Sequence, residues 1–166
     1  ESVSLFHIGI DVESGNLGDA HYDLLASEAR MLSYLAIMRR EVPLKHWRML
    51  GRTMTATQSG ATLLSWGGTA FEYLMPLLLL RHVPGTLLGI SCRHATLAQI
   101  QTAGDRPWGV SESGFWAFDP ELSYQYRAFG LPQLSLRSGA PQPVVAPYAS
   151  ALALRVTPRA AAQNLA

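Results

Sequence analysis

Apolar residues recur at helical spacing in several stretches of the chain, separated by polar, glycine- and proline-rich breaks. Residues 20–40 predict a long helix: Asp19 is a candidate N-cap, Asp23 and Glu28 lie towards the positive end, Arg39 and Arg40 lie at the negative end, and Pro43 closes it. Leu24, Met31, Leu32 and Leu35 fall on one face of that helix, and Glu28, four residues from both Leu24 and Leu32, sits inside the apolar stripe. Residues 44–50 predict a short helix carrying Trp47, and residues 53–65, rich in Thr, Leu and Ala around Ser59-Gly60, predict a small hairpin. A second helix over 69–81 has Pro76 in its interior as a kink, and a third over 86–102 follows the break at Pro84-Gly85. Pro147 and Thr157-Pro158 open two last helices, over 148–155 and from 159 onward. Between these, residues 3–10 alternate loosely into an acidic turn at 11–16, and residues 130–147 are a Pro-, Gly- and Ser-dense loop.

Composition narrows the picture. With 166 residues, 48% hydrophobic and 15% charged, the chain is globular and about one domain long. A net charge of +1 without a basic run gives nucleic acid no footing. The longest apolar run, residues 73–80, falls far short of the roughly 20 residues a membrane helix needs, so no membrane contact is expected of this segment itself. The single Cys92 excludes an internal disulfide. The first residues lack both Met and the pattern of a signal peptide, which suggests an excised piece of something longer.

Candidate chemistry gathers in residues 107–116, where Glu112 stands among Gly109, Ser111, Ser113, Gly114 and the indoles Trp108 and Trp116. Glycines let backbone approach a ligand, and an indole can lie against the C–H face of a sugar while its N–H donates to a hydroxyl. The plain alternative is a turn with two core aromatics and a solvated Glu112. Glu28 likewise admits a buried ion pair with an arginine or a catalytic or sugar-binding role. The five histidines never fall at metal-ligand spacing, so no metal and no cofactor is expected. Gly109-Val-Ser111-Glu-Ser113 lacks the final glycine of a nucleophile elbow, and no phosphate-binding glycine motif is present.

Five separated stretches resemble one family. Asp23-Leu-Leu-Ala-Ser-Glu28-Ala-Arg30, Leu64-Ser-Trp66-Gly-Gly-Thr69-Ala-Phe71-Glu72-Tyr-Leu-Met-Pro76, Trp108-Gly-Val-Ser-Glu112-Ser113, Tyr124-Gln-Tyr126-Arg127-Ala-Phe-Gly130 and Val145-Ala-Pro-Tyr148-Ala look like the glycoamylase-like domain of cyclic β-1,2-glucan synthases. The resemblance implies a mainly α fold, a partial (α/α)6 toroid with about half of its helices present and short extended segments in the loops. It also implies that residues 1–166 are a single segment, a C-terminal-type portion of that domain. The rest of the synthase, on the cytoplasmic side of a bacterial inner membrane, would be its partner.

The activity so implied is cleavage and rejoining of β-1,2-glucan chains with retention, with Glu28 as general acid/base and Glu112 as nucleophile. Trp66, Trp108, Tyr126 and Arg127 would line subsites, and Asp11, Glu13 and Glu72 would bind hydroxyls or tune pKa values. Desolvation on a helix face would raise Glu28, whereas hydroxyls and amides would keep Glu112 ionised. Two further readings stay open: an endo-β-1,2-glucanase, and a non-catalytic glucan-binding or length-sensing module. The catalytic assignment requires that Glu28 and Glu112 share a cavity; Trp108 is expected within stacking reach of it and Glu72 near its floor.

Overall fold

Proline and glycine cut this chain into short elements, and a computed structural model describes residues 5–137 and 144–166 of it. The helices are α1 (Arg30–Met38), α2 (Lys45–Met49), α3 (Ala70–Leu74), α4 (Leu87–Ala103), α5 (Pro147–Ala153) and α6 (Pro158–Leu165). Strands β1 (Met54–Thr57) and β2 (Gly60–Leu63) form one antiparallel hairpin, and β3 (Glu112–Phe118) and β4 (Tyr124–Ala128) form another. This corrects the expected mainly α toroid: among the described residues the fold is a small mixed α/β arrangement, in which only α4 exceeds nine residues. Of the expected extended and loop segments, residues 3–4 and 138–143 lie outside the described residues.

The largest local difference is at residues 20–40, where the helix begins ten residues later than expected. Residues 6–22 instead form a narrow ribbon, with bridges His7↔His21 and Ile10↔Leu17 and hydrogen bonds from Ile8 N to Ala20 O and from Tyr22 N to Phe6 O. Leu24 then pairs in parallel with Gly51. Backbone pairing with a distant segment has overridden the local helical period, and the face α1 buries is Arg30, Ser33 and Ala36. Leu32 and Leu35 are 47% and 54% exposed.

The kink at Pro76 takes the form of a helix end. Proline has no N–H to give the carbonyl four residues back. α3 therefore stops at Leu74 and runs into a 3₁₀ turn, Met75–Leu78. The Glu72 and Tyr73 carbonyls are taken up by the buried Arg30, whose Nη1 donates to Glu72 O and Nη2 to Tyr73 O, each at 2.6 Å. α4 matches its expected span closely: Thr86 Oγ1 accepts from Gly89 N at its start, and Gly104, at φ 62°, ends it. Its inner side packs on β2 and α3, with Ser91 Oγ accepting from Leu63 N. Leu63, Tyr73, Cys92, Ala98, Leu134 and Ala149 are among the core residues. No helix among the described residues is long and apolar enough to cross a membrane.

Candidate active site

The loop between β2 and α3 builds one wall of the site. Thr69 caps α3 in a capping box: its Oγ1 accepts from Glu72 N, and Glu72 Oε2 accepts from Thr69 N at 2.9 Å. The same carboxylate accepts from Ser65 Oγ and from Gly67 N, both at 2.9 Å. Glu72 is thus 5% exposed with its lone pairs committed to the loop it organises. Gly68, at φ 68°, and Gly130 let this loop run against the segment after β4; a Cβ on Gly130 would strike the Gly67 carbonyl. Loss of the cap in Thr69→Ala is expected to cost about 1 kcal/mol of stability, read from the urea midpoint; an unchanged midpoint would remove the cap from the energetics of this wall.

The opposite wall is the start of β3, which is held from three sides. Gln99 on α4 pairs in both directions with Val110, its Nε2 donating to Val110 O and its Oε1 accepting from Val110 N. Ser111 Oγ accepts from Phe71 N at 3.0 Å, and the Tyr148 hydroxyl lies 2.8 Å from both Ser111 Oγ and Glu112 O. Glu112 therefore projects from a fixed backbone. Across the hairpin Glu112 pairs with Ala128 and Gly114 with Tyr126, so Tyr126 stands diagonally from Glu112 on the same face; its hydroxyl donates to Glu112 Oε2 at 2.6 Å.

Between the walls lies a cavity of about 240 Å³, lined among others by Glu28, Trp66, Glu72 and Glu112. Glu28 enters from the residues just before α1, half-buried, with Ser27 Oγ donating to its Oε2. It has no ion-pair partner within 4 Å among the described residues, so the alternative of a buried bridge to an arginine is not realised there. Burial raises the Glu112 carboxyl above its ordinary value; the Tyr126 hydrogen bond opposes the rise, and the charges of Glu28 and Glu72 add to it. The expectation that hydroxyls and amides would keep Glu112 readily ionised is corrected by this burial, to which the neighbouring carboxylates add. Donating to Glu112 in turn raises the Tyr126 phenol.

The other candidates fall in different places. Trp66 is oriented within the cavity wall by its Nε1, which donates to Asp23 Oδ1 at 2.9 Å, and by the Arg137 guanidinium 4.9 Å from its ring centre. Trp108 is 6% exposed in the core and does not line the cavity; its backbone N and O are both held by Asn164 of α6. Arg127 pairs with Ser113, which puts it on the hairpin face opposite Glu112, with its guanidinium over the Phe115 ring. Asp11 and Glu13 sit in the exposed turn at the ribbon's tip, where Ser14 donates to Asp11 through both its N–H and its Oγ and lowers the Asp11 carboxyl.

No family model matches the chain. Over 166 residues it is 45% identical to the cyclic beta-(1,2)-glucan synthase NdvB of Rhizobium meliloti (strain 1021). The likeness takes in 98% of this chain and 6% of NdvB, so the chain spans a small part of that protein's length. The five stretches read as motifs now acquire separate tasks: one supplies Glu28 and Arg30, one the Glu72 loop, one Glu112, one Tyr126, and the last Tyr148.

Several cavity residues had no local signal. His21 and Tyr22 reach it only because residues 6–22 fold back as a ribbon, and Ser135 and Arg137 because Ser65 N donates to Leu134 O and Arg137 N to Trp66 O. Those pairings join residues about 70 positions apart, and no periodicity within either segment announces them.

Proposed function

We propose that this chain is the glycoamylase-like, carbohydrate-active part of a cyclic β-1,2-glucan synthase, and that it cleaves and rejoins β-1,2-glucan chains with retention. The observation that carries the reading is that Glu28 and Glu112, from motifs 84 positions apart in the sequence, line one cavity beside the oriented indole of Trp66. Retaining glycoside chemistry asks for two carboxyl groups flanking one bond, one attacking the anomeric carbon and one passing a proton to and from the glycosidic oxygen. Glu112 is the nucleophile. Tyr126 holds one of its oxygens and leaves the other for the sugar. Glu28 is the acid/base, and Glu72 supplies fixed negative charge at the floor. A sugar hydroxyl, rather than water, resolves the glycosyl-enzyme in the rejoining step. The partner domains are the remainder of the synthase, at the inner membrane.

The raised Glu112 carboxyl favours a second reading in which the two roles are exchanged, Glu112 holding the proton and Glu28 attacking. The test is product analysis: linear β-1,2-glucan incubated with the protein should yield rings or a redistribution of chain length. Shorter linear chains alone would replace transfer by hydrolysis, and no turnover with intact binding would replace catalysis by glucan binding. A second measurement follows from the hydrogen bond. Tyr126→Phe removes a donor that favours the carboxylate, so the acidic limb of kcat/KM is expected to move to higher pH. An unmoved or lowered limb would separate Tyr126 from the ionisation of the nucleophile.

A further inference from the structure

Beyond the cavity, the face of the β3–β4 hairpin that carries Glu112 continues as a row of exposed rings. The register Glu112↔Ala128, Gly114↔Tyr126 and Phe118↔Tyr124 puts Tyr126, Tyr124 and Phe118 on that face in order from the cavity to the hairpin tip. They are 55%, 69% and 62% exposed. The opposite face carries Phe115 and Arg127, with Phe115 packed edge-on against the buried Phe129, so the hairpin spends one face on the core and offers the other. Gly114 decides how the row lies: a Cβ there would run into the Tyr124 phenol, so the absence of a side chain lets that ring lie down across the strand towards Tyr126 and Glu112. A two-residue irregularity between Phe115 and Phe118 bends the strand where Trp116, 88% exposed, adds a further ring near the tip.

We propose that Tyr126, Tyr124 and Phe118 form a stacking track that binds glucosyl units of a glucan chain lying outside the acid cavity. The ligand is an uncharged polyhydroxyl chain, which suits this face: rings offer flat surfaces to sugar C–H faces, the tyrosine hydroxyls offer hydrogen bonds, and Glu112 at the inner end is the charged side chain in the row. Continuity through the Tyr126–Glu112 hydrogen bond joins the track to the reacting pair. The inference rests on the glucan reading above and extends it to the part of the substrate that is not being cut.

The experiment is calorimetric titration of the full chain with linear β-1,2-glucans, a disaccharide against a long chain. Tyr124→Ala should weaken the long chain about tenfold, the factor that about 1.4 kcal/mol of lost stacking produces, and leave the disaccharide within about twofold. Gly114→Ala, which keeps every ring and displaces Tyr124, should give the same length-dependent loss, and Tyr124→Phe should restore affinity. Equal loss at both lengths, no loss, or a change of oligomeric state in place of glucan affinity overturns the track. Parallel titration with β-1,3- and β-1,4-glucans separates the two ideas: if only one of these binds, the β-1,2 reading fails and the length comparison is made on the glucan that binds. If no glucan binds, the track is overturned.

Discussion

Glu112→Ala is expected to slow turnover of linear β-1,2-glucan by about 10⁴-fold or more, and Glu28→Ala by about 10²–10⁴-fold, with long-chain affinity kept within about tenfold in both. The asymmetry follows from the chemistry. Without the nucleophile no glycosyl-enzyme forms; without the acid/base the sugar hydroxyl of the glucan must leave unprotonated and does so slowly, whereas an aryl glycoside, which needs no such proton, still forms the intermediate and is the donor for the azide test. Azide then distinguishes the roles. In the variant that lacks the nucleophile, azide enters the vacated side and gives a glycosyl azide of inverted configuration; in the variant that lacks the acid/base, it resolves the covalent intermediate and gives the retained one. The assignment predicts inversion for Glu112→Ala and retention for Glu28→Ala. The opposite pattern would install the exchanged roles, and wild-type rates in both variants would end the two-carboxylate mechanism here.

The second large effect is on folding. Arg30 is 3% exposed and meets no carboxylate in the ion-pair range among the described residues; its Nη atoms donate instead to the carbonyls of Ser27, Glu72 and Tyr73. Burial pulls its guanidinium below the ordinary arginine value, a sign that the charge is held at a cost. Three charge-assisted bonds at roughly 1.5–3 kcal/mol each offset that cost, and their loss orphans the Glu72 carbonyl at about 1–3 kcal/mol, while Tyr73 O keeps Cys92 Sγ and Ser27 O keeps the Arg30 N–H. Arg30→Leu is therefore expected to destabilise by roughly 3–5 kcal/mol in urea unfolding. Arg30→Lys should recover only part of that, because an ammonium cannot span the carbonyls as a planar fork does. A loss below about 1 kcal/mol for Arg30→Leu would mean that solvent reaches the end of α3 and serves those carbonyls instead.

How far these features could be read in advance depended on whether their cause was local. α4 was legible because the break at Pro84-Gly85 and the uninterrupted stretch after it adjoin the helix they define, which a Thr cap and a terminal glycine also bound locally. The 53–65 hairpin and the two last helices were legible for similar reasons, their turn and first-turn prolines being neighbours of what they punctuate. The helix over 20–40 was misplaced because Asp19 and the leucine spacing are real local signals that lose to pairing with residues 6–10 and 51. β3 was masked by the glycines and small residues that let it approach α3 and accommodate Tyr124. Glu28, Glu112 and Trp66 were singled out through motifs, and the fold brings the three to one cavity. Trp108, which has the same composition signal as Trp66, turned inward because Asn164 and Ser150 hold its backbone.

That clasp on Trp108 also bears on the order in which the molecule can be completed. The backbone N–H of Trp108 is taken by Asn164, 56 positions further along the chain, while Gln99 waits close by for Val110. During synthesis the segment leading into Glu112 can therefore find α4 early, and Ser150 of α5 can meet the Trp108 carbonyl, yet the Trp108 N–H keeps no partner until α6 has emerged. A ribosome stalled between residues 112 and 164 would display β3 with the N–H of its lead-in residue Trp108 still without its partner.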